Sequence, residues 1–578
     1  MFPTRMPRGK LRLFGVLLLI VVLFFTAQQA SKDKYKSLSD AFTKVEKYSP
    51  FNSQKNDKAH QELDLKLKVE DYKESPEHEF WEKIFVILNK GKADIPQDEM
   101  ASAIQYIEKS KQKKGQNTKD VLLSKAYVSD EVIKEFQKKH KIVLDELPSN
   151  LEATYKPNTN GIVFVGGGRF SWLTYLSLLS LRATGSEVPV EVMMPTYNDY
   201  ENELEFCSVI LPKLNAACVV VPNSLGSAVM LSWTKKFKSY QFKSLALMTS
   251  SFQNILLLDS DNILIQNPDS IFESDLFKEY GMIMWPDYWR RTTSPVFYDV
   301  AGVKINERKR VRSSRFSLNV DKSEANLDDN EMHAVPYHDL EGAVPDLSTE
   351  SGQLFINKAT HGKTLLLSLY YNIYGPDQFY KLLSLGAPGE GDKDTFATAA
   401  TVLNQKFYQI KSHIKTIGYF EDGNFQGVAM GQKNPVKDYE LFKNKFYGPI
   451  MKEENKNKPV NDQINMIEKL MKDNPLNSDK IPVFAMHCNF PKLDPLDLIR
   501  RDSIYDKDKN QFKYKLYNGF SFRRTDNKNE PKIDFELQQW KNIQNVICKE
   551  KLYFVHFSQI DNKELCKFVD NQVKWLMK

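Results

Sequence analysis

The chain has 578 residues, more than one typical domain and enough to bury a large core. Its 80 Lys and Arg against 74 Asp and Glu leave a formal charge of +6, too mild to argue for nucleic acid. Five cysteines without a Cys-x-x-Cys pair point to neither a zinc site nor a thioredoxin-type redox centre.

In chain order, Arg5, Arg8, Lys10 and Arg12 precede an uncharged apolar run from Leu13 to Ala27, and no acid appears before Asp33. That asymmetry predicts a cytoplasmic tail over 1–12 and a transmembrane signal anchor over 13–30, with the rest in the secretory lumen. A cleaved signal peptide fits less well, because Phe25 before Ala27 and Gln28 before Ala30 spoil the small-x-small pattern. Residues 31–150 are dense in Lys, Glu, Asp and Gln and read as a lumenal stem. Amphipathic helices are predicted near Glu79–Leu88 and Glu131–Phe136. A lumenal setting permits disulfides; Cys207 with Cys218 and Cys548 with Cys566 are plausible local pairs, leaving one thiol over.

From 151 to about 500, strands alternate with helices, which predicts a mostly parallel α/β sheet covered on both faces. Ile162–Val165 reads as the first strand, followed by Gly166-Gly167-Gly168 and a helix capped by Ser171. Strands at Val188–Met194 and Ala217–Val221 and a helix over Ser239–Ser250 lead to the apolar run Asn254–Leu258. That run delivers Asp259-Ser-Asp261 to the C-terminal edge of the sheet, where such folds bind ligands. Two hard oxygen donors at this spacing suit Mg²⁺ or Mn²⁺ with positions left for phosphate oxygens. The basic run Lys304–Arg315, followed by acids from Asp321 to Glu331, reads as a solvated insertion, with a contact to an anionic acceptor as the sharper alternative. Beyond Arg500 the chain is charged and aromatic, and 501–578 is expected to pack on the catalytic domain as a C-terminal extension.

Three later segments carry candidate chemistry. Glu350 precedes the apolar run Gln353–Ile356; Asp392 and Asp394 lie in a glycine-flexed loop entering a helix; His487 ends an apolar strand shortly before Lys492. Each has a bland reading: a surface acid at a strand start, a helix N-cap, a structural histidine. Gly166–Ser171 nearly matches the dinucleotide fingerprint, with Glu187 or Glu191 at the distance for a ribose contact. A nicotinamide-dependent oxidoreductase is therefore a competitor. The third fingerprint glycine is missing, and the same turn serves a nucleotide sugar equally well. A non-catalytic lumenal sugar-binding protein is the third class.

Taken in order, these pieces resemble the retaining A-type glycosyltransferase fold, a Rossmann-like nucleotide-sugar-binding domain. They resemble more closely the fungal Golgi α-mannosyltransferases of mannan outer-chain synthesis, in particular the branch-initiating α-1,2 type. Gly161–Val192, Asn254–Phe272, Met284–Pro295 with its Trp285-Pro286-Asp287-Tyr288-Trp289 run, Glu350–Tyr374 and Gly389–Phe396 carry the resemblance. It implies transfer of mannose from GDP-mannose, with retention, onto mannose of N-linked glycans of cell-wall glycoproteins. It also implies Mn²⁺, a Golgi membrane location through the N-terminal helix, and room for association with other Golgi glycosyltransferases. Asp259, Asp261 and His487 would then hold the metal, and Gly166, Gly167, Gly168, Lys243 and Lys492 would contact the donor. Glu350, Asp392 and Asp394 would act near the donor sugar, and Trp285, Asp287, Tyr288 and Trp289 would form the acceptor wall.

Overall fold

The computed structural model describes residues 75–578 apart from 234–235, 322, 457, 475–480 and 526. The expected cytoplasmic tail, the anchor and residues 31–74 of the expected stem lie outside the described residues. Among the described residues no helix is long and apolar enough to cross a membrane.

Among the described residues, two long α-helices and two short ones come before the sheet. Ser75 caps α1 (Pro76–Lys90), Pro76 opens it, and Trp81, Ile84, Phe85 and Leu88 recur along one face that is fully buried. Ser129 caps α2 (Asp130–Glu146), which buries Phe136, His140 and Val143. The stem expectation is corrected here. Phe85 packs on Trp233 and Phe237, the Tyr370 hydroxyl donates to the Gly91 carbonyl at 2.9 Å, and His140 Nε2 lies 2.8 Å from the Tyr371 hydroxyl. Residues 75–150 therefore share one core with the sheet, and the compact unit runs over Asp71–Lys578. At about 1.5–3 kcal/mol per buried large side chain, the four apolar anchors of α1 suffice to hold it there.

The sheet is built from β1 (Lys156–Val165), β2 (Val190–Met194), β3 (Ala216–Val220), β4 (Phe252–Leu258), β6 (Met282–Pro286), β7 (Thr349–Asn357) and β8 (Tyr408–Gln409), with the short β5 (Asn262–Leu264) following β4. Their order is β8-β6-β7-β4-β1-β2-β3. All run in one direction except β7, which is antiparallel to both β4 and β6. The sheet is thus mixed α/β. The departure from the parallel expectation is the insertion of β7, whose buried run carries no direction in its sequence.

Helices cover both faces. α3 (Arg169–Ala183) follows β1, α4 (Val221–Trp233) and α5 (Gln241–Thr249) precede β4, and α6 (Lys358–Ile373) and α7 (Thr395–Val402) follow β7. α3 starts two residues before the expected cap: Ser171 lies inside it and accepts from the Gly167 N–H at 2.9 Å. A second, antiparallel sheet has the order β9 (Lys415–Glu421), β10 (Asn424–Lys433), β11 (Val483–His487), β5. α8 (Val460–Asp473) lies between β10 and β11 in the chain.

The C-terminal segment joins the core. α9 (Phe535–Ile543) and α10 (Asn562–Leu576) bury Trp540, Phe568 and Val569 in the same cluster as the sheet, and Trp172 of α3 meets Phe554 and Phe557 edge-on. Cys207–Cys218 and Cys548–Cys566 are disulfides, and Cys488 is a buried free thiol.

Candidate active site

β4 runs buried to Leu258, and the chain then turns, with the Asn262 N–H donating to the Asp259 carbonyl at 2.9 Å. The Asp259 N–H bonds the Gly352 carbonyl of β7 at 2.8 Å, and the Cys488 N–H bonds the Asp261 carbonyl at 2.9 Å. Both acids are thereby fixed at a seam between the two sheets. Pairing of β11 with β5 places His487 opposite Asn262, so a histidine more than 220 residues later arrives beside the acids. His487 Nε2 lies 3.5 Å from Asp261 Oδ1 and 3.9 Å from Asp259 Oδ2. One ligand atom from each of the three lies within 4.8 Å of the others. Two carboxylates and an imidazole form a donor set that fits a hard or borderline divalent ion.

A second observation supports that fit. A Cβ on Gly352 would come within 2.7 Å of His487 Nδ1 and 2.9 Å of Glu350 Oε2, so only glycine leaves room for the imidazole. Glu350 Oε1 sits 3.2 Å from His487 Nδ1 and accepts from the Gly352 N–H at 2.8 Å. A carboxylate behind a ligating histidine orients the ring, as around many metal centres. Glu350, expected beside the donor sugar, is thus placed behind His487, and its Oε2 is buried without a partner.

Lysines balance the acids. Lys243 of α5 reaches Asp259 Oδ2 at 2.9 Å, Asp392 Oδ2 at 3.4 Å and Ser351 Oγ at 3.0 Å. Lys492 pairs with Asp261. Burial alone would discharge Lys243, but Asp259, Asp392 and Glu350 more than offset it and hold the ammonium firmly protonated. Burial likewise opposes charge on His487, and Glu350 and Asp261 together lift its pKa well above the usual histidine range. Burial raises Asp392 above the ordinary carboxylate value, with Lys243 acting against it.

Asp394 does not join this group. Its carboxylate receives Arg291 Nη1 at 2.7 Å, the Thr349 N–H at 2.9 Å and Ser348 Oγ at 3.0 Å, all fully buried. Burial opposes its charge, and Arg291, Lys393 and Thr349 together lower its pKa below the ordinary carboxylate value. Asp394 is a structural counter-ion and also no cap, since its side chain makes no capping bond to α7. Trp285 is corrected too. It is fully buried, stacks on Phe484 with ring centroids 5.9 Å apart, and donates through Nε1 to the Lys433 carbonyl at 2.8 Å, so it cannot face an acceptor. Tyr288 and Trp289 are 46% and 45% exposed, and Asp287 is tied to Lys393 at 2.7 Å.

The glycine turn lies at the same edge, since β1 is the neighbour of β4. Gly167 and Gly168 have φ of 95° and 52°, a region in which a side chain is strained. The nicotinamide reading loses one of its two candidate ribose contacts here. Glu191 is buried against Ser251, with Oε1 accepting from the hydroxyl at 2.5 Å. Residues not anticipated are Ser351, which links Lys243 to Asp392 Oδ1 (3.2 Å), and Arg291. A hydroxyl between a carboxylate and a glycine in an otherwise apolar strand was the available signal for Ser351.

A mixed α/β sheet with a carboxylate–histidine cluster at its edge and ammoniums on either side presents a donor set that fits a divalent cation. Residues 159–434 match the family model described as "Mannosyltransferase putative". The chain is 50% identical over 515 residues to alpha-1,2-mannosyltransferase MNN23 of Candida albicans, spanning 87% of this chain and 84% of that protein. It is 42% identical over 524 residues to MNN22 of the same organism (86% and 85%), and 36% identical over 465 residues to alpha-1,2-mannosyltransferase MNN2 of Saccharomyces cerevisiae (78% and 75%). The chain belongs to this fungal α-1,2-mannosyltransferase family and is a glycosyltransferase.

Proposed function

We propose that the protein is a retaining α-1,2-mannosyltransferase of A-type fold that moves mannose from GDP-mannose to a mannose hydroxyl of a glycoprotein glycan. The convergence of Asp259, Asp261 and His487 between two ammoniums, in a chain half identical to a protein of that name, carries the reading. Asp259, Asp261 and His487 would hold a divalent ion, Mn²⁺ by our reading. When bound, the ion offsets negative charge growing on the departing diphosphate. Lys243 and Lys492 are poised to contact the same phosphates, and Gly167 and Gly168 let the backbone approach the nucleotide closely. Glu350 keeps the His487 ring aligned. Asp392, fixed by Ser351 and facing Lys243, is the remaining acid for the donor sugar. It serves either as a nucleophile or as a stabiliser of positive charge at the anomeric carbon during attack from the leaving-group face. Tyr288 and Trp289 offer aromatic faces to the acceptor. The setting is the Golgi lumen, with residues 13–30 as a type II anchor.

The test is incubation of the purified protein with GDP-mannose, Mn²⁺ and an α-linked mannose oligomer, with the product linkage read by NMR. A new α-1,2-linked mannose is expected. No transfer with Mn²⁺, or transfer undiminished by chelator, would refute the proposal.

A further inference from the structure

A cavity of about 890 Å³ has Arg290 in its lining. It begins where the exposed aromatic pair ends. After Tyr288 and Trp289, Arg290 forms part of its rim, held by Asp346 Oδ2 at 3.2 Å; Ser314, whose N–H bonds Asp339 Oδ1 at 2.7 Å, forms another. α8 also lines it, with Asn461, Ile464 and Glu468.

The basic insertion that roofs this cavity does not present a field for anions. Arg308 pairs with Asp329, Lys309 lies 3.2 Å from Glu341, and Arg310 lies 2.6 Å from Asp339. Those three cations are matched by acids, Arg312 and Arg315 are spent on the carbonyls of Ala343 and Lys411, and the lining sets Glu331, Asp339 and Glu468 against Arg290 and Arg310. What remains is a balanced wall of amides, carboxylates and hydroxyls interrupted by Leu327, Val335 and Ile464. That mixture matches the two faces of a sugar ring: hydroxyls meet amide and carboxylate groups, and C–H faces meet apolar side chains. The volume sits in the upper part of the roughly 300–1,000 Å³ usual for ligand sites, which suits several linked sugars.

We propose that this cavity is an extended acceptor subsite. It holds the sugars of a neutral mannose chain beyond the one that receives transfer, with Tyr288 and Trp289 bridging it to the metal cluster. This rests on the mannosyltransferase reading of the metal-cluster site. An enzyme so built senses acceptor length through contacts remote from the reacting hydroxyl.

The experiment is calorimetric titration of the full chain with a linear α-linked mannohexaose and, separately, with methyl α-mannoside. The variants are Asn461→Trp and Glu468→Trp, both at exposed positions of α8. The wild type is expected to bind the hexaose at least tenfold more tightly than the monosaccharide. Each variant should lose at least tenfold of the hexaose affinity while its melting temperature and its Mn²⁺-dependent GDP binding stay at wild-type values. Equal affinity of the wild type for the two probes, or variants that keep the hexaose affinity, would overturn the subsite. Failure of the wild type to bind GDP overturns instead the reading of the metal-cluster site, so the two failures are told apart.

Discussion

Asp259 and Asp261 lie in a turn clamped between two paired strands, whereas Asp392 and Asp394 occupy a short 3₁₀ turn leading into a helix, and the same spacing comes to different ends. The first turn is pinned at both ends, by the Asp259 N–H on the Gly352 carbonyl and the Cys488 N–H on the Asp261 carbonyl, and both carboxylates converge on His487. At three residues per turn, residues two apart point well away from each other. Asp392 accordingly faces Lys243 and Ser351, and Asp394 is delivered to Arg291, Ser348 and Thr349. A motif of two acids therefore has no fixed meaning until the contacts that anchor its turn are known.

The largest effect is expected at the Asp259–Asp261 pair. Asp261→Ala or Asp259→Ala should lower transfer by on the order of 10³-fold, because a ligand that positions charge against the leaving group is lost. Mn²⁺-dependent GDP binding, read by calorimetry, should vanish in step. Unchanged GDP affinity in both variants would end the metal assignment.

At the 3₁₀ turn the two acids should part company. Asp392→Asn should cut kcat by on the order of 10²-fold at near-normal donor affinity, a signature of a group used in the transition state. Asp394→Ala should instead cost about 3–5 kcal/mol of folding stability by stranding the buried Arg291. Denaturant unfolding measures this, and the double variant Arg291→Met/Asp394→Leu should recover part of the loss. If Asp394→Ala unfolds like the wild type, the contrast between the two acids collapses.

Smaller changes are expected behind the metal ligands. Glu350→Gln should weaken Mn²⁺ affinity roughly 10–100-fold by loosening His487, the size seen for residues that orient ligating histidines. Gly352→Ala should act the same way, since its Cβ would lie 2.7 Å from His487 Nδ1. A titration of Mn²⁺ without donor separates this positioning role from a direct part in the chemistry, which would leave that affinity intact. The smallest effect belongs to the exposed rim: Trp289→Ala should raise the acceptor KM severalfold with kcat nearly unchanged, corresponding to about 1 kcal/mol of aromatic contact. A fall in kcat alone would move Trp289 out of the acceptor site.

Much of the frame was legible in the sequence because it is set locally. The apolar run Ile255–Leu258 can only be buried, and its end must carry Asp259 to a sheet edge. Gly167 and Gly168 mark backbone that other residues adopt poorly, and the short spacing within each cysteine pair matches the two disulfides found. Tertiary structure decided the rest. The direction of β7 depends on its neighbours, and with it the placement of Glu350 behind His487. Trp285 and Trp289 sit four residues apart in one aromatic run, yet one is sealed in the core and the other is open to solvent. Residues 75–150 have the composition of a stem, but a few apolar anchors at helical spacing bind them to the sheet. In each case the deciding contact is with a residue distant in the chain. Local pattern fixes what a segment can be, and only packing against its partners fixes which way its side chains face.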